Sequence, residues 1–212
     1  MMFRNTIIII LLLISFHNYH LSAQTLNGIK LQNGDLLFVD LDCGPLCDAI
    51  EEVTISHGSN HFSHIGLVYL KVDTAFVIEA IGNRVQLTPM AIFADRTEHK
   101  ICIGRLKPSK QYLITQAVKF ATDKLGTKYD EAFLYDNDKY YCSELIYDAF
   151  KAANNKKPFF KLEPMTFKKP GSNEFYPVWI EYYQKLNINI PEGKPGINPG
   201  GISRSKKIVL LN

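Results

Sequence analysis

Tyr140-Tyr141-Cys142-Ser143-Glu144-Leu145-Ile146 brings one Cys to the start of a helix that the apolar spacing predicts over residues 141–153. The free N–H groups and the dipole at a helix N-terminus favour a thiolate over a thiol. A nucleophilic thiolate also needs a base, and the best candidate is His64, which opens an apolar strand predicted over residues 64–70. The predicted base therefore precedes the predicted nucleophile along the chain.

Glu79 is the candidate for orienting the imidazole of His64, since a site of this kind pairs its base with a third polar group. It lies in the otherwise apolar strand 75–81, where an unpaired buried carboxylate would be costly. A two-residue turn at 72–73 would place Glu79 opposite Gly66 and diagonal to His64, with Gly66 leaving room beside the imidazole. A turn one residue longer would move Glu79 to the other face. The alternative is an edge-strand carboxylate that faces water.

The four Cys residues allow several pairings. Cys43 and Cys47 are close enough in sequence to form a disulfide with each other if the backbone between them permits it. Cys102, in the apolar strand predicted over residues 100–106, is expected to be a buried small hydrophobe. The alternative for Cys142 is a structural disulfide with one of the other three, but its place at a helix start favours a reactive thiol.

The spacings of four and three between His57, His61 and His64 would suit zinc ligands on one helix face. Gly58 and its polar neighbours break any such helix, and no Glu accompanies the His residues as in a metalloprotease motif. We therefore predict neither a metal nor another cofactor. His61 is expected to lie beside the site, in a loop that contacts the substrate.

Residues 1–23 have the pattern of a secretory signal peptide, with a basic start, a short apolar run and a small-residue cleavage site that ends at Ala23. Cleavage there would leave one domain, residues 24–212, in a secreted or periplasmic protein. The alternative is an uncleaved membrane anchor. The formal net charge of +3 gives no argument for nucleic-acid binding, and no obligate protein partner is indicated.

The apolar pattern predicts an antiparallel sheet in the first half of the chain and helices in the second, which is an α+β fold. The predicted strands are 36–39, 64–70, 75–81, 84–87 and 100–106, and the predicted helices are 48–56, 89–93, 110–125, 141–153 and 175–186. Gly126 is expected to stop the helix before it. Residues 155–212, which include a loop-like stretch over 191–201, are expected to form a tail that wraps the core.

Several short blocks along the chain carry a family resemblance. In order they are Gly34-Asp35-Leu36-Leu37-Phe38, Ser63-His64-Ile65-Gly66, Val77-Ile78-Glu79-Ala80, Gly126-Thr127-Lys128-Tyr129-Asp130, Tyr141-Cys142-Ser143-Glu144-Leu145, Asn198-Pro199-Gly200 and Ser203. Together they cover nearly the whole chain after the predicted signal peptide. The sequence resembles the permuted papain-like amidases of the YiiX/YaeF type, which are relatives of the NlpC-type cell-wall peptidases.

The resemblance implies a circularly permuted papain-like fold, with an antiparallel sheet or partial barrel packed against helices. It implies Cys142 as the nucleophile, His64 as the base and Glu79 as the third member of the site. The base then comes before the nucleophile, which is the reverse of the papain order. Tyr141 and Tyr129 would add a hydrogen-bond donor or shape the substrate pocket, or else belong to the core.

The activity that the resemblance implies is that of an exported cysteine hydrolase, which cleaves amide bonds through a thioester and acts on cell-wall peptides such as peptidoglycan fragments. Two alternatives stay open. One is a thiol acyltransferase or lipase that acts on acyl lipids, with aromatic residues of the tail lining a lipid groove. The other is a binding module on an inactive scaffold, with Cys142 held in a disulfide.

Overall fold

A computed structural model describes residues 24–72 and 74–211, and the predicted signal peptide, residues 1–23, lies outside them. In this part of the chain the strands are β1 (Thr25–Leu26), β2 (Ile29–Lys30), β3 (Leu36–Val39), β4 (His64–Lys71), β5 (Thr74–Ile81), β6 (Arg84–Pro89), β7 (Cys102–Leu106), β8 (Glu163–Pro164), β9 (Pro195–Gly196) and β10 (Ile208–Leu211). The helices are α1 (Pro45–Glu52), α2 (Met90–Ala94), α3 (Ile114–Asp123), α4 (Cys142–Ala153), α5 (Pro177–Leu186) and α6 (Pro199–Ser203), and a 3₁₀ turn, Pro108–Leu113, leads into α3. None of the helices in the described ranges combines the length and apolar character that a transmembrane span requires.

The fold is built around a six-stranded antiparallel sheet with the strand order β10-β7-β3-β4-β5-β6. One face of the sheet, which includes Leu36 and Leu67, packs against α3 and α4. The other face, which includes Leu37 and Val68, packs against Phe93 of α2. Side chains alternate between the two faces of a strand, so β3 is buried along its whole length when both faces are covered. The arrangement confirms the predicted α+β fold.

The predicted boundaries of two helices were wrong. α1 begins at Pro45 and ends at Glu52, whereas the apolar pattern placed it over 48–56; Pro is favoured in the first turn of a helix and sets this start. The helix predicted over 110–125 is α-helical only between Ile114 and Asp123, because its first residues form the 3₁₀ turn. The other predicted elements begin and end within two residues of the observed ones.

The tail, residues 155–212, does more than wrap the core. Its strand β10 pairs with β7 and completes the sheet, and its helix α5 packs on α1 through a cluster of aromatic side chains. The stretch predicted as a loop over 191–201 contains β9 and most of α6. The start of α6 is defined by the Asn198 side chain, whose Oδ1 accepts a hydrogen bond from the N–H of Gly201 (2.7 Å). The high Pro and Gly content of this stretch concealed that helix signal.

Candidate active site

Cys142 is the first residue of α4, and it carries a free and buried thiol. Tyr141 before it is extended, and the side chain of Glu144 accepts a hydrogen bond from the N–H of Tyr141 (3.4 Å). This capping contact fixes the residue at which the helix begins. Ser143 Oγ donates to the carbonyl oxygen of Ile197 (2.8 Å) and so ties the start of α4 to the tail. The thiol therefore lies at the helix N-terminus that the sequence predicts.

His64 begins β4 and contacts Glu79 of β5. The Nε2 atom of His64 lies 2.7 Å from Oε2 of Glu79, and both residues are buried. The strands pair Lys71 with Thr74, which is the register that the two-residue turn predicts. The expected diagonal contact is confirmed, and the alternative of a water-facing Glu79 is wrong because its exposed fraction is 0%.

The surroundings of His64 favour its protonated form. Burial lowers its pKa, but hydrogen bonding and negative charge from Cys142 and Glu79 outweigh burial and raise the pKa to about 9. The imidazole is therefore charged at neutral pH. A charged imidazole stabilises a thiolate on Cys142 and can give its proton to a leaving group.

The second oxygen of Glu79 has two donors that the sequence analysis did not single out. Thr88 Oγ1 donates to Oε1 (2.5 Å), and Arg96 Nη1 donates to the same oxygen (2.7 Å). Burial raises the pKa of Glu79, but hydrogen bonds and charge from His64, Thr88 and Arg96 outweigh it and lower the pKa below its ordinary value. The strand register contained a signal for Thr88, because Gln86 pairs with Glu79 and residues two apart share a face. Arg96 follows α2 in a loop and has no such signal.

Gly66 lies on the same face of the sheet as His64, but neighbouring side chains fill the space beside Gly66. A side chain at residue 66 would collide with the side chain of Val77 and come within 3.2 Å of the Phe93 ring. That ring also packs against the imidazole of His64, with 6.1 Å between the ring centroids. Gly66 therefore allows close packing behind the imidazole, rather than leaving the room that was expected.

The disulfide pattern leaves Cys142 available for chemistry. Cys43 pairs with Cys47, as the sequence allowed, and the bridge joins the loop before α1 to that helix. Cys102 is buried in β7, as expected of a small hydrophobe in the core. The alternative, a structural disulfide for Cys142, is absent among the described residues.

Cys142 and His64 line an apolar cleft of about 480 Å³. Helices α1 and α5 and two tail segments, residues 161–167 and 196–204, contribute to its walls. The apolar side chains of the cleft include Leu46, Ile50, Phe133, Met165, Phe167 and Trp179, and Lys161, Glu163 and Arg204 add charge. A cleft of this size and lining can take a substrate with a substantial apolar group.

Of the three residues predicted to contact the substrate, two line the cleft. Tyr129 and Tyr141 line it beside Cys142, whereas His61 is exposed and is not among the lining residues. The hydroxyl of Tyr141 accepts a hydrogen bond from the N–H of Ile197 (3.1 Å). Burial, followed by the negative charge of Cys142, raises the pKa of Tyr129 well above its ordinary value. Tyr129 is therefore a neutral hydroxyl that can donate a hydrogen bond into the cleft.

One group of side chains among residues 24–72 and 74–211 has the donor atoms of a metal site. Asp40, Asp42 and His99 each bring one atom to within 4.8 Å of the others. The Nε2 atom of His99 lies 3.2 Å from Asp42 Oδ1 and 3.9 Å from Asp40 Oδ2, and all three side chains are partly or largely exposed. These are the contacts of surface ion pairs.

The fold and the site define a papain-like class in which the strand bearing the imidazole precedes the helix bearing the thiol. A family model described as the permuted papain-like amidase enzyme family YaeF/YiiX, C92, matches residues 30–211. The chain belongs to this family, which confirms the resemblance seen in the sequence.

Two comparisons with individual proteins agree with this assignment. The uncharacterized protein YiiX of Escherichia coli (strain K12) is 26% identical over 155 residues, which is 71% of this chain and 68% of that protein. A solved structure described as metalloprotein yiiX from Escherichia coli O157:H7 has a TM-score of 0.67 and 21% identity, and the match covers 85% of this chain and 96% of that one. The structural likeness supports the same fold.

Proposed function

We propose that the protein is a cysteine amidase that cleaves its substrate through a thioester on Cys142. The observation that carries the proposal is the buried contact of 2.7 Å between His64 and Glu79, next to a free thiol at a helix N-terminus. Nucleophile, base and orienting carboxylate come from three elements that meet at one cleft. The family assignment supports the same general chemistry.

The first half of the proposed reaction forms the thioester. The Cys142 thiolate attacks the carbonyl carbon of the amide, and its backbone N–H at the start of α4 donates to the developing oxyanion. The His64 imidazolium then gives its proton to the amide nitrogen, the C–N bond breaks and the amine leaves. Glu79 stabilises the imidazolium and holds the ring in one orientation.

The second half of the reaction releases the acid. His64, now neutral, takes a proton from water, and the resulting hydroxide attacks the thioester carbonyl. The C–S bond breaks and Cys142 leaves as a thiolate, which restores the thiolate and imidazolium pair. If an alcohol or amine replaces water, the same site performs acyl transfer.

For the substrate we propose an exported amide of the peptidoglycan stem-peptide type, as the sequence resemblance implies. The apolar lining of the cleft favours a second candidate, an amide or ester that carries a long acyl chain. Predicted export supports the first candidate. N-terminal mass analysis of the protein from the periplasm or medium would test export, with a start at Gln24 as the expected result.

The test compares the native protein with Cys142→Ala on a panel of muropeptides and long-chain acyl amides. We expect turnover by the native protein and none by the variant, with identical circular dichroism spectra for both. Turnover of acyl amides alone would select the second candidate. Activity retained by Cys142→Ala would contradict the proposal.

Alkylation provides a test that needs no substrate. Iodoacetamide should label Cys142 well below pH 8, because a nearby imidazolium favours the thiolate. Cys102, whose thiol has its pKa raised by burial, serves as the internal reference. Equal labelling of both residues would count against an activated nucleophile and would favour the binding-module alternative.

A further inference from the structure

The two oxygens of the Glu79 carboxylate have different partners. Oε2 contacts His64, while Oε1 accepts hydrogen bonds from Thr88 (2.5 Å) and Arg96 (2.7 Å). Rotation of the carboxylate would break both of these bonds, and each involves an ionised acceptor. The contacts on one oxygen therefore fix the plane of the carboxylate and keep the other oxygen facing the imidazole.

Arg96 and His64 both contact Phe93 of α2. The guanidinium of Arg96 lies over the Phe93 ring, 5.9 Å from the centroid, and Phe93 packs against the imidazole of His64. Phe93 belongs to α2, and Arg96 lies two residues beyond the end of that helix. One short helix thus places an aromatic ring behind the base and a cation on the carboxylate that orients the base.

We propose that Arg96 and Thr88 are positioning residues for catalysis, which hold Glu79 in the orientation and charge state that His64 requires. This inference rests on the proposed amidase function. Neither residue lines the catalytic cleft, so both act through Glu79. The side chain of Arg96 is 24% exposed and that of Glu79 is 0% exposed, so the pair is far better shielded from water than an ordinary surface ion pair.

Because Arg96 is charged, the proposal predicts a change in the pH dependence of the site when Arg96 is replaced, which a purely structural role would not produce. Among the residues that the structure describes, two titratable groups contact Glu79: His64 from β4 and Arg96 from the loop after α2. Cys142 of α4 faces His64 from the other side. Thr88 of β6 contributes a hydroxyl. A fixed cation lowers the pKa of every acidic group near it. Removal of the Arg96 charge should therefore raise the pH at which each titratable group of the site loses its proton.

The experiment measures the rate of iodoacetamide labelling of Cys142 against pH, in the full-length protein and in variants. For the native protein, the labelling rate plotted against pH should rise in two steps, one as the thiolate forms and one as His64 loses its proton. Arg96→Gln should move both steps upward by roughly 0.5 to 1 pH unit. Arg96→Lys keeps the charge and should hold the steps near their native positions. Arg84→Gln removes an exposed cation from β6 and should leave the profile unchanged.

Thr88 is tested by variants that change no charge. Thr88→Val should leave the two steps within a few tenths of a pH unit of the native values. It should lower kcat, measured on the muropeptide or long-chain acyl amide that the native protein turns over, by roughly tenfold, because one hydrogen bond to the carboxylate is lost. Thr88→Ser keeps the hydroxyl and should restore kcat. These variants keep the proposal open to test even if Arg96→Gln does not fold.

The outcomes separate this inference from the proposed function. A native protein whose Cys142 shows no selective labelling below pH 8 would overturn the amidase proposal and this inference with it. Normal labelling of the native protein, with Arg96→Gln and Arg84→Gln giving the same profile, would overturn the role of Arg96 alone. A native kcat in Thr88→Val would overturn the role of Thr88.

Discussion

Replacement of Glu144 by Gln should make the stability of the protein less sensitive to alkaline pH. Glu144 is 1% exposed and lies two residues after the nucleophile, at the third position of α4. It accepts hydrogen bonds from the N–H groups of Asp136 (3.0 Å) and Tyr141 (3.4 Å). Burial raises its pKa to about 8, so the side chain is neutral at physiological pH. Gln has one carbonyl oxygen and can accept only one of these two hydrogen bonds, because its other terminal atom is an NH₂ group that donates; this loss does not depend on pH.

The magnitude follows from the difference in proton binding between the folded and unfolded states. The unfolded chain releases the Glu144 proton near pH 4.5, whereas the folded protein keeps it up to about pH 8. Stability from this group is therefore complete below pH 4.5 and is lost as the pH rises to about 8. At about 1.36 kcal/mol for each unit of pKa, the upper limit is about 5 kcal/mol, and we expect a loss of about 2–4 kcal/mol after relaxation around the charge.

The assay is urea unfolding of the native protein and Glu144→Gln at pH 5, 6.5 and 8. The other titrating groups are present in both proteins, so they cancel in the difference between the two free energies of unfolding. That difference should grow with pH in favour of the variant. Glu181→Gln, which changes an exposed carboxylate on α5, is the matched control and should give a difference that does not depend on pH. Parallel pH dependences for Glu144→Gln and the native protein would refute the reasoning.

Three further predictions concern the site and its walls. Glu79→Gln removes the charge that favours the imidazolium, and should lower kcat/KM on the amide identified as substrate by about 10²–10⁴-fold; a loss below tenfold would contradict the assignment. Gly66→Ala forces a methyl group into the side chain of Val77, and should lower the free energy of unfolding by about 1–3 kcal/mol in urea titrations, whereas no loss would show that the strands adjust freely. Replacing Cys43 and Cys47 by Ser opens a short loop, and should lower that free energy by about 2 kcal/mol and raise KM, since α1 lines the cleft; an unchanged KM would show that the bridge does not support the cleft wall.

The site was largely predictable where local pattern and strand register determine it. The alternation of apolar residues in β4 and β5, with a two-residue turn between them, was enough to place Glu79 beside His64. The helix pattern after Tyr141 was enough to place Cys142 at an N-terminus. Each of these relations depends on a short stretch of chain or on one tight turn.

The features of the fold and site that the sequence did not predict depend on contacts between distant segments of the chain. Arg96 reaches Glu79 from a loop whose path no periodicity describes, and β10 pairs with β7 across about a hundred residues of sequence. The cleft walls come from α1 and from the tail, and their apolar residues are indistinguishable in sequence from ordinary core residues. Such placements are decided by tertiary packing, which a single sequence does not display.

The distribution of the cleft walls along the chain has a consequence for the order of folding. The thiol is supplied by residue 142, but the surfaces that enclose it come from residues 41–55 and from residues as late as 204. Before the tail docks, Cys142 has no enclosed cleft and its helix lacks the tie to Ile197. The thiol is therefore enclosed by the cleft only after the tail has docked.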